Sequence, residues 1–147
     1  MSHNGTSPAS FVLVIGNANQ RSNAVEARKV NIDAVSTFAA DIAAGRANDR
    51  IGTSLELQND RLRVWHLRLA PGQRLPFHRH DRPYFWTVLT DGKGRSRFDD
   101  GRVVDIVYRK GETKYFDLNP QNMFIHDLQN TGTEELLFVT VEFAPQA

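Results

Sequence analysis

The chain has 147 residues, 40% hydrophobic and 24% charged, which is one globular domain's worth of sequence with an ordinary core-forming composition. A formal net charge of +1 offers no electrostatic footprint for nucleic acid, and no apolar run approaches the about 20 residues of a helical membrane span. Cysteine is absent, so disulfides and thiolate ligands are excluded, and any metal must be held by nitrogen and oxygen.

Residues 1–9 are small and polar and read as a tail, with His3 as a free tail histidine. No basic n-region precedes Phe11–Ile15, so the cytoplasm is the expected location. Phe11–Ile15 reads as a strand ended by Gly16-Asn17-Ala18-Asn19, and residues 20–32 are polar and ambiguous. From Asp33, an N-cap residue type, Val35, Phe38, Ala39 and Ile42 recur at helical spacing, and Gly45 is a natural stop. One amphipathic helix is therefore predicted over Asp33–Ala44, too short to stand alone and expected to dock on the domain or on a partner subunit.

The pattern then changes to short strands with turn signals between them. Strands are predicted at Thr53–Leu57, Leu62–Leu69, His78–His80, Tyr84–Thr90, Arg95–Phe98, Val103–Tyr108, Thr113–Asp117, Met123–Leu128 and Leu136–Phe143. Asp99-Asp100-Gly101, between Arg95–Phe98 and Val103–Tyr108, is a strong hairpin signal. The expectation is an all-β domain over residues 51–147, preceded over residues 1–50 by an extension with a strand and one short helix.

Chemistry concentrates on two of these strands. His78 and His80 are two residues apart, so on a strand they share a face with a rise of about 6.6 Å between them. Two imidazoles so placed can turn toward one ion at about 2.0–2.1 Å. A third histidine, His126, lies on a later strand-like run, and three neutral imidazoles would leave coordination positions open. Protons would compete with the metal near the ordinary imidazole pKa of about 6.5. His66 shares a strand face with Leu62, Val64 and Arg68 and reads either as a substrate-side contact or as a satisfied core or interface histidine. No Gly-x-Ser-x-Gly elbow and no glycine-rich phosphate loop is present, so nucleophilic and nucleotide chemistry find no support.

Gly72, five residues, His78-x-His80, then a strand leading to Val88-Leu89-x-x-Gly92 resembles the first motif of the cupin superfamily. Gly111 followed by His126-Asp127-Leu128-Gln129-Asn130 resembles the second, and the likeness covers about Leu55 to Phe143. Two departures stand out. The family's first-motif Glu falls here on Tyr84 or Phe85, and the second motif carries about four extra residues and lacks its Pro-x-Gly pair. The resemblance implies a cupin-type jelly-roll β-barrel in which His78, His80 and His126 would be ligands of a divalent transition metal, iron or alternatively zinc, manganese or nickel. Tyr84 would contact substrate or water, unless it is a core aromatic of the run Tyr84-Phe85-Trp86, and Asn130 reads as a turn terminator. The activity implied is that of a metal-dependent dioxygenase acting on a small organic acid or enolisable metabolite. The alternatives are a non-enzymatic sensor or accessory protein that binds a metabolite or metal, and a metal-independent isomerase. The partners implied are a small-molecule substrate and a second copy of the chain, with neither nucleic acid nor membrane.

Overall fold

The computed structural model describes residues 27–30 and 32–145; the strand expected at Phe11–Ile15 and the tail with His3 lie outside them. The described strands are β1 (Ala27–Val30), β2 (Ser54–Gln58), β3 (Leu62–Leu69), β4 (Arg74–His80), β5 (Tyr84–Val88), β6 (Gly92–Arg97), β7 (Arg102–Tyr108), β8 (Thr113–Phe116), β9 (Phe124–Asn130) and β10 (Leu136–Phe143). They build two five-stranded antiparallel sheets, ordered β1-β7-β6-β9-β4 and β2-β3-β10-β5-β8.

Period-2 alternation decides which side chains enter the space between the sheets. Trp65, Leu67 and Leu69 of β3 and Leu136, Phe138 and Thr140 of β10 are buried there. Leu67, Leu69, Val88, Leu128, Leu136 and Phe138 form one apolar cluster where β3 ends and β10 begins. The hairpin predicted at Asp99-Asp100-Gly101 joins β6 to β7, and Gly101 takes φ +89°, a left-handed conformation that strains other residues.

Strand β1 is an addition to the expected set. Its four residues, Ala27-Arg28-Lys29-Val30, show no alternation and pair with β7 in the register Val30↔Arg102, which makes β1 an edge of the first sheet. Backbone pairing to a strand distant in sequence, which no local pattern encodes, makes them a strand.

The single helix expected over Asp33–Ala44 is two short ones, α1 (Ile32–Thr37) and α2 (Ala39–Gly45), with Phe38 between them at φ −104° and ψ 15°. The break delivers the Phe38 ring to within 5.8 Å of the Phe77 ring, under the guanidinium groups of Arg74 and Arg97 at 5.2 and 4.9 Å. Those stacking and cation–π contacts hold the ring in place of the lost helical turn. Ile42 packs with Phe77 and Ile125, so α2 covers the outer face of the first sheet, whereas Ala39 is exposed. Gly45 serves a purpose other than a left-handed cap: a Cβ there would stand 2.6 Å from Cβ of Phe77, so only glycine lets the helix lie this close to β4. Beside α2, the fully buried Asp127 accepts from the backbone N–H of Arg97 at 2.8 Å and from the guanidinium groups of Arg97 and Arg74 at 2.9 and 3.1 Å.

Strand β4 begins four residues earlier than expected because Pro76 is accommodated at a bulge. Leu75 pairs with Leu128 and His78 with His126, so two residues between them on β4, Pro76 and Phe77, stand against one on β9, Asp127. As an edge strand, β4 tolerates the missing backbone donor of proline. The extra residue also resets parity, so Leu75 and His78 both line the interior while Phe77 between them lies under α2.

Candidate functional site

The three histidines meet inside the barrel. His78 and His80 occupy successive inward positions of β4, and His126 lies opposite His78 on β9. Their ring centroids form a nearly equilateral triangle with sides of 4.7, 4.8 and 4.9 Å, and their candidate donor atoms lie within 4.8 Å of one another. His78 and His80 are buried, and His126 is half-buried.

Burial controls their protonation. His78 is pushed down to about 4 by desolvation, against a smaller upward pull from its bond to the Pro76 carbonyl. His80 is held well below the usual imidazole range by burial and then by His78 and His126; His126 is lowered by burial and then by His78 and Arg102. All three are therefore neutral at pH 7 and present lone pairs. Proton competition for His78 moves from about 6.5, the ordinary value, down to about 4.

The set fits a borderline transition-metal ion on two observations. Nδ1 of His78 donates to the Pro76 carbonyl at 2.7 Å, which leaves Nε2 as its lone-pair atom, 3.0 Å from Nε2 of His80. At that separation both Nε2 atoms could bond one ion at about 2.0–2.1 Å. The buried Nδ1 atom of His126 also has no hydrogen-bond partner among the described residues, so the protein alone does not satisfy it.

The histidines form part of the wall of a cavity of about 180 Å³. Aromatic rings make up much of the remaining wall, and no Asp or Glu is among the described residues that line it. The nearby carboxylate of Glu142 is paired instead with Arg63, whose Nε donates to it at 2.6 Å. Burial raises the Glu142 pKa, with Arg63 opposing.

Of the two residues at the position of the family's Glu, Tyr84 faces the cavity, while Phe85 packs on the outside against Phe143 at 6.1 Å. The Tyr84 ring is sandwiched between His80 at 4.2 Å and Phe116 at 4.6 Å, with interplanar angles of 20° and 4°. Its hydroxyl stays protonated because burial, then Tyr108 and Glu142, push its pKa well above the usual phenol value. His66 points away from the site: it is 46% exposed, with Nδ1 3.4 Å from the Glu56 carboxylate. Asn130 is a turn terminator, donating to the carbonyls of Leu69 and Glu134 and accepting from the Gly132 N–H.

Two cavity cations, Arg102 on β7 and Lys114 on β8, carried no signal in the sequence. Neither belongs to a motif, and only strand pairing places them on the inner face.

Two antiparallel sheets enclosing a three-histidine cluster define the class: the chain has the cupin, or double-stranded β-helix, fold, with a histidine cluster suited to a metal. Among solved structures it is similar to a cupin domain from Bordetella pertussis Tohama I, at 23% identity over 62% of this chain and 90% of that one, with a TM-score of 0.54. It is also similar to an uncharacterised conserved protein with a double-stranded β-helix domain from Klebsiella pneumoniae, at 24% identity over 64% and 76% of the two chains, with a TM-score of 0.51. No family model matches the sequence, and no curated protein matches it. Among the described residues, no helix is long and apolar enough to cross a membrane.

Proposed function

We propose that His78, His80 and His126 hold a divalent transition metal, iron or alternatively zinc, manganese or nickel, and that the protein acts on a small organic acid or enolisable metabolite as a dioxygenase or related enzyme. The observation that carries this reading is the clustering of three neutral imidazoles, two buried and one half-buried, with donor atoms within 4.8 Å of one another in a cavity whose described lining holds no carboxylate. An ion held by neutral ligands alone keeps its full charge and would supply Lewis acidity and sites for small ligands. Tyr84, a protonated phenol on the cavity wall, donates a hydrogen bond to substrate or water, and the surrounding rings exclude bulk water. We place the protein in the cytoplasm as a homodimer whose interface uses the N-terminal segment; a monomer mass at micromolar concentration in light scattering would count against that assembly.

The second reading is a non-enzymatic metabolite sensor. It draws on the Tyr84 ring, which lies face-on against His80 where the resembling motif places a carboxylate ligand. Elemental analysis of protein purified without an affinity tag tests the metal, expected near one ion per chain. Oxygen uptake with candidate acids then separates enzyme from sensor. A metal-loaded protein that consumes no oxygen with any small acid favours the sensor.

A further inference from the structure

The positive lining of the cavity has a consequence for what the site accepts. Arg102 stands at the start of β7, directly across the hairpin from Phe98, whose N–H donates to the Arg102 carbonyl at 2.9 Å. One backbone and two side-chain contacts pin the residue. The Arg102 backbone N–H donates to Asp100 Oδ1 at 3.0 Å, its Nε donates to Asp100 Oδ2 at 2.7 Å, and its Cζ lies 4.4 Å from the centre of the Phe98 ring. Phe98 in turn lies 5.2 Å from His126, so the guanidinium is held one ring away from the histidine cluster.

Asp100 engages the Nε edge only, and the terminal Nη1 and Nη2 atoms have no partner among the described residues. A guanidinium fixed in this way is a preorganised fork for a planar two-oxygen anion. Lys114 reinforces the positive potential from the other sheet; Asp100 offsets part of the Arg102 charge from the hairpin side, and no described acidic residue lines the cavity itself. The walls suit a flat body, with Phe98, Phe116, Phe124 and Trp86 all presenting rings to the cavity. Its volume, about 180 Å³, is in the range that holds a benzene-sized molecule, since an engineered apolar cavity of about 150 Å³ does so.

We propose that Arg102 is the carboxylate-binding residue of the cavity and that the ligand is a planar unsaturated monocarboxylate of about one ring, seated between the Phe98 side and the histidine cluster. The inference deepens the proposed function by naming the substrate class, and the binding step itself does not require the metal. Arg102 is a binding and specificity residue; the reacting atoms lie toward the histidines.

The test is a titration of the metal-free full-length protein with benzoate and with the neutral isostere benzamide, read by tryptophan fluorescence. Trp86, on the cavity wall, should report occupancy. Benzoate should bind about 10–100-fold more tightly than benzamide, the worth of a charge-assisted two-point contact. Arg102→Gln should remove that preference, and Arg102→Lys should restore only part of it, because lysine supplies charge without the fork. Benzoate and benzamide binding equally to the parent, no saturable benzoate binding, or an intact preference in Arg102→Gln would each overturn the proposal. The comparison of two probes on the parent protein does not depend on how any variant folds. Cobalt(II) absorption on the same samples reads the histidine site separately. Absent cobalt binding with an intact benzoate preference sinks the metal reading and leaves this one standing; the reverse pattern does the opposite.

Discussion

Lowering the pH should destabilise the metal-free protein through its buried histidines, and the effect can be worked from His78. In the folded chain its pKa is about 4, whereas in the unfolded chain it returns to about 6.5. Between those values the unfolded state binds a proton that the folded state refuses, so stability is full above about pH 6.5 and falls as pH drops toward 4. Below about 4 both states are protonated and the loss from this residue levels off. At pH 5 the loss is about 2 kcal/mol from His78 alone, and His80 and His126 act in the same direction. With a urea slope of about 2 kcal/mol per molar, the unfolding midpoint should fall by about 1 M between pH 7.5 and pH 5. The assay is urea unfolding in chelator-treated buffer across that range, on the parent and on His78→Gln. Carboxylates titrate alike in both proteins, so the difference between the two profiles isolates the histidine. Parallel profiles for parent and variant would refute the reasoning, because they would mean that His78 binds a proton as readily folded as unfolded.

His80→Ala removes one of the three proposed ligands and should abolish metal retention after dialysis, whereas Tyr84→Glu places a carboxylate beside the cluster and should tighten it; elemental analysis reads both, and unchanged metal content in the two variants would defeat the three-histidine assignment. Asp127→Ala leaves the Arg74 and Arg97 guanidinium groups facing an empty buried position and should lower stability by about 3 kcal/mol in urea unfolding. Gly45→Ala drives a methyl group to 2.6 Å from Phe77 Cβ and should shift α2 off β4, a loss of about 1–3 kcal/mol seen as a lower thermal midpoint.

Local sequence determined most of the strands and the identity of the cluster. Leu62–Leu69 and Leu136–Phe143 are bounded by turn signals and have the same limits in the structure, since alternation and turn chemistry act over a few residues. The spacing of His78 and His80 put both on one face for the same reason. Tertiary structure decided everything that depends on pairing across the fold. The bulge at Pro76 puts Leu75 and His78 on the same face, against simple alternation, because parity is set by β9 rather than by β4. Phe38 breaks a helix that spacing alone would continue, because its ring is claimed by Phe77 and two guanidinium groups. Tyr84 rather than Phe85 faces the cavity, and Arg102 reaches it at all, through the registers of β5 with β10 and of β6 with β7. Registers join residues far apart in the chain, and a one-residue slip would exchange inside for outside, so the chemistry of the cavity becomes visible only when the sheets have closed.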